Sequence, residues 1–238
     1  MYILGTRVHN VSLAQALSIA EGFLRGTEQR YIVTPNPEIV LKARNDANYR
    51  AILNNADLSI PDGTGLVWAS KVLYPENFIK ERIAGVDFMI KFLRHLSEEN
   101  LSVLLLGGRG DTAKKAAQVL KGKFPNHDFH GTGDIENEHL DFVINYIIQP
   151  DCVFVGLGAP SQERWIRENL KAYPSIKLAV GVGGAFDMLS GSRPRAPKFM
   201  SDRGIEWLWR LVMEPWRIGR IFNAVIVFPI AILRERGK

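Results

Sequence analysis

Three times in the second half of the chain, a short apolar run meets a glycine-rich turn and then an amphipathic helix. The apolar runs are residues 103–106, 152–155 and 178–182. The turns are Gly107-Gly-Arg-Gly110, Gly156-Leu-Gly-Ala-Pro160 and Gly181-Val-Gly-Gly184. Helical spacing follows at 112–121, 162–173 and, briefly, 186–189. Uninterrupted apolar strands alternating with helices predict a parallel sheet covered on both faces, a Rossmann-like α/β fold. The first half holds shorter units of the same kind, with helices expected at 13–25, 38–54 and 86–98 and strands at 31–33 and 58–60. Such sheets bind ligands beyond the carboxyl ends of their strands. Glycine turns and helix N-termini there offer backbone N–H groups to phosphate.

Charge divides the chain near Ser192. From Arg193 onward there are ten Lys/Arg against four Asp/Glu, while the preceding residues carry twenty basic against twenty-one acidic. The basic segment also holds Trp207, Trp209 and Trp216 and an apolar run at 224–233. Arginine, tryptophan and apolar surface on one short element suit an anionic membrane surface or a lipid phosphate. The expected division is therefore a catalytic domain over 1–191 and a helical, membrane-engaging appendage over 192–238. Within the appendage, Ile205, Leu208, Trp209, Val212 and Trp216 fall on one helical face, and Arg203, Arg210, Arg217 and Arg220 lie near one another on another. Ten residues of helix cover about 15 Å, against a hydrocarbon core of about 30 Å, so the apolar run can lie in an interface but is too short to span it. A nucleic-acid partner is not expected, because the positive charge is confined to this segment.

A single cysteine, Cys152, excludes an intramolecular disulfide framework, and it reads as a buried strand residue. Residues 1–5 lack a basic region followed by an apolar one, so no signal peptide is expected. Both features fit the cytoplasm. His127 and His130 have a metal-ligand spacing but read as loop residues without an acidic or cysteine partner, and Asp134 and Glu136 read as a solvated pair. No metal and no cofactor is expected.

Several polar residues follow strands. Asp62, in Pro-Asp-Gly-Thr-Gly, reads either as a turn aspartate or as a general base at a strand's carboxyl end. Thr34 and Asn36 cap the next helix or face a ligand. Ser161 and Gln162 open a helix, where capping is the default. None of the glycine turns completes a dinucleotide fingerprint, since Gly156-x-Gly158 lacks its third glycine. Were the ligand of these turns a diphosphate held without a metal, its donors would be backbone N–H groups, Thr34 and Arg82.

Six segments, in order along nearly the whole chain, resemble the WecG/TagA/CpsF family of bacterial glycosyltransferases. They are Thr34-Pro-Asn-Pro-Glu38, Ala56-Asp-Leu-Ser-Ile-Pro-Asp-Gly63, Arg82-Ile-Ala-Gly-Val-Asp87, Gly156-Leu-Gly-Ala-Pro-Ser-Gln-Glu163, Gly181-Val-Gly-Gly-Ala-Phe-Asp187 and Arg195-Ala-Pro197. The resemblance implies an inverting, metal-independent transfer of a sugar from a UDP-sugar to a polyprenyl-diphosphate-linked acceptor on the inner face of the cell membrane. N-acetylmannosamine is the first expectation for the sugar, in the synthesis of teichoic acid or another surface polysaccharide. It places the base at Asp62 and nucleotide-sugar contacts at Thr34, Asn36, Gln162 and Asp187. Appendage arginines, matched here to Arg210, Arg217 and Arg220, would take the acceptor diphosphate. Self-association is a further implication. From the residues alone, a nicotinamide-dependent oxidoreductase and a non-catalytic membrane or nucleic-acid adaptor stand as alternatives.

Overall fold

The computed structural model describes residues 1–133, 135, 139–194, 196–197, 200 and 206–237, with the side chains of Glu206, Arg210 and Arg217 outside that description. Asp134, Glu136, Arg195, Arg203 and Ile205 also lie outside the described residues.

An antiparallel pair, β1 (Tyr2–Ile3) and β2 (Thr6–Arg7), opens the chain. Helix α1 (Leu13–Arg25) starts at a capping box, in which Ser12 accepts from Gln15 N–H and the Gln15 side chain accepts from Ser12 N–H. Strand β3 (Arg30–Val33) leads to α2 (Pro37–Asn45) and α3 (Ala47–Asn54). The single helix expected over 38–54 is thus two. Asp46 ends one and caps the other, its carboxylate accepting from Tyr49 N–H at 2.9 Å.

Next come β4 (Leu58–Ser59), α4 (Thr64–Leu73) and α5 (Gly85–His95). Strand β5 (Ser102–Gly107), helix α6 (Thr112–Lys123) and strand β6 (Asp128–Thr132) follow. The segment read as a loop around His127 therefore runs into an edge strand. His127 is buried, with its ring nitrogens engaged by Leu93 O and Leu101 N–H, and His130 pairs with Asp128.

Helix α7 (Leu140–Phe142) continues as a π-helical stretch, Val143–Ile148. Strand β7 (Cys152–Gly156), α8 (Ser161–Asn169), β8 (Leu178–Gly181) and α9 (Ala185–Leu189) complete the central layer. The C-terminal segment forms α10 (Glu206–Met213), α11 (Ile218–Phe222) and α12 (Phe228–Arg236). Pro215 opens a short 3-10 turn between the first two, where its missing N–H costs nothing.

The large sheet is wholly parallel, in the order β4-β3-β8-β7-β5-β6. Its strands alternate between two cores. Ile32, Val103, Leu105, Phe154 and Val180 pack beneath α1, α5, α6 and α9, while Val33, Leu104, Leu106, Val153 and Val155 pack beneath α2, α3, α7 and α8. This period of two, apolar on both faces, is why the strands read as continuous apolar runs. The helix after β5 leads towards β6, and the helix after β7 leads the other way to β8. The chain reverses direction between these two neighbours, and a crevice opens at their carboxyl ends.

A third core holds the C-terminus. Phe228, Ala231 and Ile232 of α12 are buried with Ile3, Val8, Leu66, Ala69 and Ile79. The apolar run at 224–233 is therefore not all lipid-facing surface: its Phe228 and Ile232 anchor the segment to α4 and the N-terminal hairpin. The rest of the segment exposes apolar side chains beside arginines such as Arg220, Arg234 and Arg236. Among the described residues, eleven of the twenty exposed large hydrophobic side chains lie between Trp207 and Leu233, with Trp216 at 75% and Val212 at 70% exposure. Among the described residues no helix is long and apolar enough to cross a membrane.

Candidate active site

A cleft of about 460 Å³ opens beyond the carboxyl ends of β3, β4, β5, β7 and β8, and the C-terminal segment supplies part of its wall through Glu214, Trp216 and Arg220. Thr34, Asn36, Asp62, Arg82, Gln162, Asp187 and Arg220, all named from the sequence, line it together. They come from six separate segments, so the fold is what brings them together.

Asp62 follows β4 on a turn bonded to the turn after β3. Ile60 N–H donates to Val33 O at 2.8 Å, and Asp62 N–H donates to Pro35 O at 2.9 Å. The helices that follow the two turns also approach closely: a Cβ on Gly65 at the start of α4 would stand 2.6 Å from Cγ of Pro37 at the start of α2, so glycine is required there. The Asp62 carboxylate accepts from Gly85 N–H, at the start of α5, at 3.4 Å, and its other oxygen lies 4.0 Å from Arg82 Nε. Asp62 is about a quarter exposed at its side chain, which leaves it reachable from the cleft.

The neighbouring positions do structural work as well as lining the cleft. Thr34 is buried and donates its hydroxyl to Gly181 O at 2.8 Å, tying the end of β3 to the end of β8. Asn36 caps α2, its Oδ1 accepting from Ile39 N–H at 3.0 Å. Its amide nitrogen makes no hydrogen bond to the described residues, so capping leaves it able to serve a ligand. Gln162 is 1% exposed. Its Oε1 accepts from Gly183 N–H at 2.9 Å and its Nε2 donates to Glu163 at 2.7 Å. Gln162 thus fixes the turn between β8 and α9, and its backbone N–H continues the helix by donating to Gly158 O.

Sequence reasoning missed Glu163, Arg193, Glu214 and Arg109. Glu163 is fully buried and also accepts from Tyr49 O–H at 3.0 Å. Burial pushes its carboxyl above the ordinary glutamate range, against the lowering effect of its two hydrogen bonds. Its place beside Gln162 in a motif was the one available signal. Arg193 bridges Asp187 at 3.0 Å and Glu214 at 2.9 Å, joining α9 to the junction before Pro215. Arg109 lies in the turn after β5 and lines the cleft.

The appendage arginines divide. Arg220 stands at the cleft and donates to Glu38 Oε1 at 2.8 Å, and Lys42 lies 3.0 Å from the same oxygen. Burial raises Glu38, but these two cations more than offset it, and its carboxyl lies below its ordinary range. The side chains of Arg210 and Arg217 are outside the described residues.

Chemically, the cleft combines a carboxylate on a rigid turn, glycine-rich backbone at strand ends and several guanidinium groups. That set can take a proton from a hydroxyl and hold anionic oxygens. A family model described as "Glycosyl transferase WecG/TagA/CpsF family" matches residues 1–238. Two relatives from Staphylococcus aureus, strains MRSA252 and MW2, are each 33% identical to this chain over 99% of it and 93% of their own length. Both are named N-acetylglucosaminyldiphosphoundecaprenol N-acetyl-beta-D-mannosaminyltransferase.

Proposed function

The chain belongs to the WecG/TagA/CpsF glycosyltransferase family, and from that premise we propose that it moves N-acetylmannosamine from a UDP-sugar onto a sugar carried by undecaprenyl diphosphate. The transfer inverts the anomeric centre, needs no metal and serves cell-wall or surface polysaccharide synthesis. Family membership decides against the oxidoreductase and the non-catalytic adaptor.

The observation that carries the reading is the position of Asp62. It is a reachable carboxylate, fixed by backbone bonds from two turns, at the edge of a cleft that the appendage also lines. In the proposed step Asp62 accepts the proton of the acceptor hydroxyl. The freed oxygen pair bonds to the sugar's anomeric carbon from one side, and the bond to the donor's phosphate oxygen breaks on the other. UDP leaves with that electron pair. Such a base contributes about 10²- to 10⁴-fold in rate. Arg82 steadies Asp62 and reaches the donor sugar. Thr34, Asn36, Gln162 and Asp187 shape the donor side, where Gln162 and Thr34 act by holding the ends of β3 and β8 in register.

Residues 1–191 act as the catalytic part and 192–238 as the appendage that meets lipid. Arg220, with Arg210 and Arg217, takes the acceptor diphosphate, while Val212, Trp216, Ile218 and Phe222 present apolar surface to the inner face of the membrane. Self-association through the remaining exposed apolar surface accompanies this arrangement.

The test is UDP release by the full-length chain with a panel of UDP-sugars and a short-chain lipid diphosphate bearing N-acetylglucosamine. Release that requires the acceptor, is fastest with UDP-N-acetylmannosamine and survives a metal chelator supports the reading. Release that ignores the acceptor overturns it.

A further inference from the structure

Eight charged side chains among the described residues line the cleft: Glu38, Asp62, Asp187 and Glu214 against Arg82, Arg109, Arg193 and Arg220. Three of the arginines are already paired with carboxylates. Arg82 stands beside Asp62, Arg193 bridges Asp187 and Glu214, and Arg220 is bonded to Glu38. The Arg109 guanidinium makes no hydrogen bond or ion pair with any described residue. It is exposed, on a turn whose tight course is set by Gly107. That glycine has φ of 106°, and a Cβ there would stand 3.0 Å from the backbone of Gly156 and Leu157. Arg109 is thus the cleft cation, among those described, whose charge is not already neutralised.

Its place across the sheet matters as much. Inversion puts the base and the leaving group on opposite sides of the anomeric carbon. Arg82 is on the side of the base, 4.0 Å from Asp62. Arg109 enters from β5, four strand positions from the β4 turn that carries Asp62. At about 4.8 Å per strand, the two strand axes lie roughly 19 Å apart. Arg109's long side chain closes part of that distance, since both residues line one cleft. The turn lies at the β5–β7 reversal, where parallel sheets place anionic ligands.

We infer that Arg109 binds the diphosphate of the sugar-nucleotide donor and stabilises it as it leaves. This rests on the donor reading of the cleft given above. The acceptor's diphosphate carries the same chemistry, but Arg220 and the lipid-facing segment stand on the β3 side, through Glu38 at the start of α2. The arginine's planar fork can grip two phosphate oxygens at once, which lysine cannot.

The test compares wild type, Arg109→Gln and Arg109→Lys in the full-length chain, by calorimetric binding of UDP and of uridine and by steady-state kinetics. Arg109→Gln is expected to weaken UDP binding about 10- to 100-fold, leave uridine within about twofold and raise the donor KM but not that of the lipid acceptor. Arg109→Lys should fall between the two. Equal losses for UDP and uridine, an unchanged UDP affinity, or a rise confined to the acceptor KM would each overturn the inference. Wild-type protein that binds UDP no better than uridine would instead overturn the donor reading itself, and the inference with it. An unchanged melting temperature establishes that the variants are folded.

Discussion

Replacing Phe228 by alanine is the sharpest test of how the appendage meets the rest of the molecule. Phe228 is fully buried in the core formed with Ile3, Leu66, Ile79 and Ile232. Its ring also lies beside the turn after Asp62, because a Cβ on Gly65 would be 3.8 Å from Phe228 Cε1. Removing a buried phenylalanine ring costs about 3–5 kcal/mol. If that loss falls on docking of the last helix, the docked-to-undocked ratio drops by roughly 100-fold or more. Hydrogen exchange followed by mass spectrometry should then show faster exchange in Phe228–Arg236, with β5 and β7 unchanged. Turnover on lipid-linked acceptor should fall at least tenfold, because Arg220 loses its place at the cleft, while UDP affinity stays within about threefold. Leu233→Ala, at a half-exposed position on the same helix, should do little. Wild-type exchange and turnover in the Phe228 variant would refute the docking and its coupling to the site. The same packing warns that cutting the chain at Ser192 would expose apolar surface on α4 and the N-terminal hairpin, so truncation is a poorer probe than point substitution.

Gly65→Ala should force Pro37 away from the Asp62 turn, cost about 1–3 kcal/mol by overpacking and depress transfer; a variant of wild-type stability and rate, by thermal melt and assay, would contradict the contact. Glu38→Gln should leave stability within about 1 kcal/mol, since its partner Arg220 is half exposed, and should tighten binding of a soluble lipid diphosphate analogue by freeing that arginine. Weaker binding in a titration would reverse the proposed role of Arg220. Glu163 has a folded pKa raised above its ordinary value of 4.5. Its contribution to stability is full below that value and is lost as pH rises through the folded pKa. The melting temperature of wild type should therefore fall relative to Glu163→Gln as pH is raised from about 4.5, and a difference that grows in the opposite direction would be inconsistent with a carboxyl whose burial outweighs its two hydrogen bonds.

The sheet was legible because burial on both faces leaves an unmistakable mark: β7, β8 and, after Ser102, β5 are apolar at every position before their glycines. The cleft was legible for a related reason, since a parallel sheet dictates where its strands end. Elements set by a local cap or by contacts distant in sequence were not. The amphipathic pattern runs unbroken through α2 and α3, and only the capping geometry of Asp46 separates them. Strand β6 reads Asp-Phe-His-Gly-Thr, poor in strand formers, and is held by its pairing with β5. Helix α4 was hidden behind the glycines of the Asp62 turn. The Arg193–Glu214 pair spans twenty-one positions with no local signal. The basic charge of the last segment suggested a free, lipid-facing element, but net charge says nothing of Phe228 and Ile232, whose burial depends on α4.

The central claim is that Asp62 removes the acceptor's proton. The direct measurement is single-turnover transfer by Asp62→Asn beside calorimetric UDP binding. Asparagine keeps the shape and can still accept from Gly85 N–H, and it changes a partly exposed ion pair worth about 0–1 kcal/mol. The account predicts transfer slowed about 10²- to 10⁴-fold with UDP affinity and melting temperature nearly unchanged. Transfer within a few-fold of wild type would contradict it.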